Sequence, residues 1–506
     1  MPSHPPFQLF NTLTGEVHEI TPLEPDHLRM YSCGPTVYSY AHIGNFRTFL
    51  TSDLITRVAK AIGWKTTYVS NITDVGHLTE DDFADAGGED KMAKALRSKE
   101  GERFVNIWDL ARYYTDALLD DWNTLNLRHP DVRPRATEHV TQQIEAIETL
   151  IARGHAYETD SGVYFSVSSF PDYGKLSGNN TAEQLENAVR DVVVDSSKRD
   201  PRDFALWKKD DKHLMQWYSP FGRGFPGWHI ECSVMSMQYL GPHLDLHAGG
   251  EDLIFPHHEC EIAQSEGLTG EPFATVWAHT RFLQVEGEKM SKSKGNFFTV
   301  RDLTRPVSEG GKGIEPLALR LALISGQYRK PFNFTFKNVN DCVRIVGRYR
   351  DALAIADAGI AAGEPGEDHV GSRLDAIFER TLNALLDDLN TPEALAAALE
   401  GAKLINGMKT LNGASARSAR AWLERINDLL GIIWHDEPLV AAATEPAVDP
   451  LAEQVENLLK ERTVARRTRD FARADAIRAE LDALGIDVMD SPEGSTWRRK
   501  PPVIGE

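Results

Sequence analysis

Two thiols, an imidazole and a carboxylate recur in this 506-residue chain at places where they can share one metal ion. Cys33 follows a short apolar stretch, Cys232 sits in Gly-Trp-His-Ile-Glu-Cys-Ser (227–233), and Phe-Pro-His-His-Glu-Cys-Glu (255–261) comes soon after. On a helix starting near Pro256, His257 and Glu261 are i and i+4 and share a face. Thiolate, imidazole and carboxylate ligands together make a tetrahedral zinc set. Spacing alone leaves rivals open, because Cys260 stands at i+3 from His257, and His247 and His258 are also donors. Cys342, the fourth cysteine, reads as a small buried hydrophobe. Four scattered cysteines (33, 232, 260 and 342) make no disulfide framework.

A second chemistry is suggested by nucleotide-type segments. The stretch Tyr-Ser-Cys-Gly-Pro-Thr-Val-Tyr-Ser-Tyr-Ala-His-Ile-Gly-Asn (31–45) places His42 and Asn45 at the opening turn of a helix. Free backbone N–H groups and a partial positive charge there suit a nucleotide phosphate. Much later comes Glu-Lys-Met-Ser-Lys-Ser-Lys-Gly-Asn (288–296), whose lysines can wrap a polyphosphate as point charges. There is no Gly-x-x-x-x-Gly-Lys-Ser/Thr loop. A Gly-x-Gly-x-x-Gly match at Gly222, Gly224 and Gly227 follows a charged, aromatic segment rather than a buried strand, so it does not read as a dinucleotide fingerprint.

The elements that must hold these residues begin with strand, loop, helix, strand over 27–72. Leu28–Ser32 reads as a strand, Leu50, Leu54, Val58, Ala61 and Ile62 repeat at helical spacing, Gly63 stops the helix, and 66–72 returns as a strand. This βαβ unit seeds a parallel sheet. Residues 79–101 are polar and Gly-containing, and 104–154 read as helices. A small mixed segment over 155–200 precedes a second α/β half near 227–303, in which 244–247 and 276–285 are apolar and 257–267 helical. After Lys330 long helical patterns run from 338 to 433, then a Pro/Ala/Glu-rich linker, two short helices and a compact tail.

Composition fits a folded protein, with 41% hydrophobic and 26% charged residues. No run approaches the ~18 apolar residues of a membrane span, and Met1–Phe10 lacks the pattern of a signal peptide, so a cytoplasmic location is expected. The net charge of −20 argues against a surface coated by nucleic acid. Residues 451–506 are nearly balanced, however, with 10 Lys and Arg against 11 Asp and Glu, and the run Arg462, Arg466, Arg467, Arg469, Arg473 clusters the positive side. That end is expected to approach phosphate.

The His42-Ile43-Gly44-Asn45 and Lys289–Ser293 pair, in this order and about 245 residues apart, resembles the two signatures of class I aminoacyl-tRNA synthetases. The first signature normally ends in His, where this chain has Asn45. Together with Cys33-Gly34-Pro35, 227–233, 255–259, Asp470-Phe471-Ala472 to Arg478 and Gly494 to Arg499, the chain is similar to the cysteinyl-tRNA synthetase family over roughly residues 7–500. The resemblance implies an α/β chain with a Rossmann-like parallel-sheet catalytic domain (1–115 and 216–305) carrying an inserted subdomain (116–215). A connecting stem (306–337), an α-helical bundle (338–435), a linker (436–450) and a small C-terminal anticodon-binding domain (451–506) would follow.

It also implies the activity: cysteine is activated by ATP and passed to the 3′ end of tRNA(Cys). The zinc ligands, one ion per chain, fall on Cys33, Cys232, His257 and Glu261. His42, Lys289 and Lys292 would be catalytic, His42, Asn45, Asp252 and Lys292 would contact ATP with its Mg2+, and Trp228 would wall the amino-acid pocket. A merely shaped pocket separates near-isosteres by only ~1–3 kcal/mol, so a thiophilic metal accounts for choosing cysteine over serine. No large insertion for an editing domain is seen. The expected partners are tRNA(Cys), ATP and L-cysteine, with no membrane and a monomeric state. The alternative is a zinc-dependent cysteine ligase acting on a small amine, as mycothiol-pathway ligases do, for which residues 338–500 would be surplus.

Overall fold

The computed structural model describes residues 4–78, 88–179, 197–436, 450–468, 470–491 and 494–499. A hairpin, β1 (Gln8–Asn11) and β2 (Glu16–Glu19), leads into the central unit: β3 (His27–Ser32), α1 (Ile43–Ala61) and β4 (Lys65–Ser70). The expected βαβ unit is therefore present. α1 starts because His42 and Asn45 cap each other's backbone N–H groups, and the chain turns away at Gly63, whose φ of 87° suits glycine.

α2 (Lys91–Leu96), α3 (Ile107–Thr124) and α4 (Val140–Ala152) follow, so the helical reading of 104–154 resolves into two helices. Of the polar stretch around 80–99, residues 80–87 lie outside the described residues. Next comes an antiparallel sheet in the order β5 (Ala156–Glu158), β6 (Gly162–Phe165), β7 (Phe204–Lys208), β8 (Phe225–Pro226), with its own core around Phe165, Phe204 and Trp207. Gly224 lies opposite Trp217 at this sheet's edge, so the Gly222–Gly227 match belongs to an antiparallel turn.

The chain then returns through α5 (Trp228–Leu240) to β9 (Leu244–Gly250), α6 (Glu259–Thr269) and β10 (Ala274–Thr280). The four-stranded parallel sheet runs β10-β9-β3-β4. Its order reverses between β3 and β9, and ligands of open parallel sheets bind outside the carboxyl ends of the strands at such a switch point. Short strands β11 (Leu283–Val285), β12 (Glu288–Lys289) and β13 (Phe332–Phe334) and helices α7 (Val300–Thr304) and α8 (Pro316–Ile324) lead to the bundle. Its helices are α9 (Phe336–Ala362), α10 (Gly371–Leu386), α11 (Thr391–Met408) and α12 (Gly413–Leu430).

One apolar core runs from Phe7 through the sheet into the bundle as far as Ile433. A buried charge knot pins the two together. Asp53 of α1 accepts from Arg57 Nε at 2.8 Å and from Arg320 of α8 at 2.5 Å. The same guanidinium groups donate to the carbonyls of Leu430 (2.8 Å) and Asn126 (2.8 and 2.9 Å), and Arg57 also pairs with Asp436 at 2.9 Å. Burial opposes ionisation of Asp53, but the two arginines hold its carboxyl below the usual range. Gly431 ends α12 with φ 66°, and a Cβ there would lie 2.9 Å from the Arg320 guanidinium carbon.

The C-terminal unit, α13 (Pro450–Arg467), α14 (Phe471–Ala483) and the hairpin β14 (Ile486–Ser491) and β15 (Gly494–Arg499), packs around Val455, Leu459, Ile477 and Leu481. The expected basic stripe is altered here. Arg462 is 4% exposed and turned into this unit, Arg473 pairs with Glu461 at 3.0 Å, and Trp497 packs on the apolar cluster. Arg466 is exposed, and Arg469 lies outside the described residues. Amphipathic packing of a short two-helix unit thus uses one of the arginines that sequence spacing assigns to the surface.

Candidate functional site

Cys33 is the first residue past β3, and its N–H donates to Ala248 O of β9 at 3.3 Å, which places its thiol at the switch point. α5 supplies Cys232 from its first turns. The segment 255–261 enters as an irregular turn with Phe255 extended (φ −136°, ψ 132°), and α6 begins only at Glu259, later than the helix expected from Pro256. His257 nevertheless reaches Glu261, Nε2 to Oε1 3.0 Å.

Ligand atoms of Cys33, Cys232, His257 and Glu261 all lie within 4.8 Å of one another, and so do those of Cys33, His247, His258 and Glu261. Cys260 belongs to neither group. It points to the opposite side of α6, 3.3 Å from the Tyr173 hydroxyl, within the core of the antiparallel sheet. Neighbouring residues on a helix face different ways, so Glu261 meets His247 and His257 while Cys260 meets Tyr173.

Glu261 is the hub. His247 Nε2 lies 2.8 Å from its Oε2, and the Cys33 thiol donates to Oε1 at 3.4 Å. Burial opposes its ionisation, yet the charges of His247 and His257 hold it well below the usual carboxylate range. Burial likewise works against protonated His257, but the Glu261 carboxylate raises it to about 10. The thiols, 3.9 Å apart, lose protons unequally: burial and Cys232 push Cys33 up, whereas the Cys33 hydrogen bond and His257 overcome burial and bring Cys232 down to about 6. Two thiols and a carboxylate, each 6% exposed or less, are costly to ionise without a cation of matching charge. The soft, compact donor set suits zinc, and the residues present fit that ion.

A ring of histidines orients the cluster. His229 Nδ1 is 2.9 Å from His257 Nδ1, leaving Nε2 toward Glu261. His258 lies 3.3 Å from the Cys33 sulfur and 2.8 Å from His279, which reaches the Thr12 hydroxyl at 2.7 Å. His229 and His279 escape sequence reading, because a single histidine in an apolar strand or helix gives no spacing signal.

Trp228 borders the cluster. Its ring lies 4.2 Å from His257 and stacks on His77 at 4.0 Å. His77 meets the Thr36 hydroxyl at 2.5 Å, and Glu231, pushed well up by burial, accepts from Thr73. Asp252 is exposed in the turn Glu251–Leu253 that follows β9, with its carboxylate folded over Gly250.

His42 is the N-cap of α1. A Cβ on Gly44 would meet the His42 ring at 2.8 Å and Met290 Cε at 3.0 Å, so this glycine lets the lysine segment approach the helix start. The two signatures therefore meet, a contact tightened by Ile43 N–H donating to Phe298 O at 3.0 Å and by Phe297 edge-on to His42 at 5.1 Å. Asn45 Oδ1 accepts the His42 N–H at 3.1 Å, so its side chain is engaged in the cap. Lys289 is exposed, 6.0 Å above the Phe282 ring, and Lys294 pairs with Glu288 at 2.9 Å. The backbone of Lys292 lies in the short turn Lys292–Lys294, and its side chain is outside the described atoms.

Comparison with known proteins agrees with this geometry. Residues 19–344 match the family model of class I (C) tRNA synthetase catalytic domains, 382–434 match the DALR domain, and 449–498 match the cysteinyl-tRNA ligase anticodon binding domain. The chain is 60% identical to a cysteine–tRNA ligase of Salinibacter ruber, covering 99% of this chain and 100% of that one, and 43% identical to one of Rhodospirillum rubrum, covering 97% and 99%. Among solved structures, Mycobacterium tuberculosis methionyl-tRNA synthetase shares the fold at 15% identity, with a TM-score of 0.55 over 80% of this chain and 92% of that one. The small-amine ligase reading is not favoured, and no helix among the described residues is long and apolar enough to cross a membrane. With matched family models from the sheet to the C-terminal unit and relatives aligned over its whole length, the chain belongs to the cysteine–tRNA ligase family of class I aminoacyl-tRNA synthetases.

Proposed function

We propose that the site activates L-cysteine with ATP and passes the cysteinyl group to the 3′ end of tRNA(Cys). The observation that carries this reading is the convergence of the Cys33, Cys232, His257 and Glu261 ligand atoms at the switch point, beside the helix start that meets the lysine segment. Those four residues would hold one zinc ion, which supplies a preference for a further sulfur ligand over a hydroxyl. The set with two thiols is preferred to the one with His247 and His258 because it is the softer. His247 and His258 then orient Glu261 and Cys33.

The remaining work is positioning and charge stabilisation. The cysteine carboxylate attacks the α-phosphate in line, pyrophosphate leaves, and a ribose hydroxyl of the tRNA then takes the cysteinyl group. His42 at the start of α1 stabilises the α-phosphate side, and Lys289 and Lys292 the departing pyrophosphate of the Mg2+–ATP complex. Asn45 contacts ATP through its amide while its oxygen holds the cap, Asp252 meets the ribose or the amino group, and Trp228 walls the amino-acid pocket. The domain bounds given above, with residues 451–506 as the anticodon-reading unit, belong to the same reading. A cysteine-dependent ATP–pyrophosphate exchange assay, run beside serine and followed by charging of bulk tRNA, tests it. Exchange at equal rates with serine, or cysteine exchange without charging, overturns it.

A further inference from the structure

The turn between α10 and α11 leaves the bundle and meets the base of the small sheet that carries the lysine segment. Two consecutive residues in it, Asp388 and Leu389, hold left-handed backbone with φ of 53° and 48°, although neither is glycine. Both are buried. Such a conformation costs free energy and persists only where the surroundings fix it, and it gathers at places under functional constraint.

A single carboxylate does the fixing. Asp388 Oδ1 accepts the Phe10 N–H of β1 at 2.9 Å and the Tyr328 hydroxyl at 2.7 Å, while Oδ2 accepts from the Gln327 amide at 3.2 Å and from the Arg329 guanidinium. Its own N–H donates to Gln8 O at 3.1 Å. The side chains of three successive residues, 327 to 329, therefore end on one residue of the bundle. Donors converging on a buried charged acceptor fix geometry as well as energy.

The backbone of the same segment is tied to α1. Arg47, buried in the second turn of that helix, donates to Gln327 O at 3.0 Å, Lys330 O at 3.3 Å and Arg281 O at 2.5 Å. The Arg281 N–H in turn donates to Tyr328 O at 2.9 Å. From these anchors the chain runs almost at once into the lysine sheet. β13 begins at Phe332 opposite Leu283 of β11, and Gln284 of β11 stands opposite Lys289 of β12. The spacing between the His42 helix start and the lysines is thus set by a segment held by α1 through its backbone and by the bundle through its side chains.

We propose that Asp388 is a positioning residue for adenylate formation: through Gln327–Arg329 and the strands β13, β11 and β12 it sets where the charges of Lys289 and Lys292 stand relative to the start of α1. It touches no substrate itself. The inference rests on the proposed function, since it needs a pyrophosphate leaving beside those lysines. Charge stabilisation depends on placement, and a shift of about 1 Å can cost ~10²-fold in rate.

The test is Asp388→Asn in the full chain. Asparagine accepts left-handed backbone, and its amide keeps one acceptor oxygen while turning donors toward Gln327 and Arg329. The rate of cysteine-dependent ATP–pyrophosphate exchange at saturating substrates should fall ~10-fold or more, with half-saturating ATP and cysteine and the zinc content as in wild type. Tyr328→Phe, which removes one donor and leaves the carboxylate, should lower the same rate about threefold. In a chain already carrying Lys289→Ala and Lys292→Ala, Asp388→Asn should cost less than about twofold more, because its effect passes through those lysines. The same factor in both backgrounds would mark a residue that only supports the fold, and overturns the proposal. So does an unchanged exchange rate, or a loss confined to half-saturating cysteine or to zinc. Should Asp388→Asn fail to fold, Tyr328→Phe in the two backgrounds decides by the same comparison. If the wild-type chain itself shows no cysteine-dependent exchange, it is the proposed function that fails.

Discussion

The thiol–imidazole–carboxylate cluster and the lysine segment 288–296 serve one end of the same sheet but are built in opposite ways. Cys33, Cys232, His257 and Glu261 are 0–6% exposed, are drawn from the end of a strand, the first turns of two helices and the irregular turn that precedes one of them, and are braced by a ring of histidines. The lysine segment is a short strand and a single turn; Lys289 and Lys294 are exposed, and Met290 is its contact with the start of α1. A group that selects a substrate must be in position before the substrate arrives, which needs rigid supports. Charges that act on a departing anion matter most in the transition state, and an exposed loop lets that anion leave.

The contrast can be broken at its strongest point first. Cys232→Ser should lose the metal and depress cysteine activation by about 10³-fold or more, because removal of a ligand exceeds the 10–100-fold cost of disturbing an outer partner. Metal analysis of the purified protein together with pyrophosphate exchange checks this, and full zinc in the variant would remove Cys232 from the ligand set. Lys292→Ala should lower adenylate formation by ~10²-fold with the half-saturating cysteine concentration unchanged and zinc retained. An equal loss in ATP affinity and in rate would assign Lys292 to ground-state binding.

Smaller effects sharpen the boundary of each region. Cys260→Ser should keep zinc and activity, since a serine hydroxyl can still meet Tyr173; the stability change, read from a denaturant midpoint, should be about 1 kcal/mol. Zinc loss here with Glu261→Gln still loaded would make Cys260 the ligand. Lys294→Ala should be the mildest, within about twofold in exchange, because its exposed pair with Glu288 is worth ~0–1 kcal/mol.

Much of this arrangement is legible in the sequence, and its gaps have physical causes. Apolar spacing over 50–62 between two β-rich stretches is enough to expect α1 and its parallel strands, because Leu50, Leu54, Val58 and Ala61 recur at helical spacing and Gly63 marks the stop before the next strand. The choice between Cys260 and Glu261 is not legible, since residues at both i+3 and i+4 can share a helix face with His257, and only the packing of Cys260 against Tyr173 in the core of the antiparallel sheet separates them. The knot of Asp53, Arg57 and Arg320 is likewise hidden. Its members lie 267 residues apart at most, and a buried arginine looks like a surface one until its partners are placed. Arg462 illustrates the same failure in the C-terminal unit, where a charge on a helix reads as solvated but lies inside.

That knot also governs how the molecule comes apart. Asp436, six residues past the end of α12, reaches back to Arg57 at 2.9 Å, to Arg128 at 3.3 Å and to the Asn427 amide at 3.0 Å. Losing Asp436, whose side chain is 25% exposed, leaves Arg57 paired with Asp53 but short of one charged hydrogen bond, a cost of about 1–3 kcal/mol. A chain cut at Ile433 therefore discards a carboxylate that the sheet and the bundle share, whereas a cut at 440 keeps it. The longer piece should melt in one sharp calorimetric transition, sheet and bundle together. The shorter should melt earlier and over a broader range, marking Asp436 as the last residue of a single cooperative folding unit.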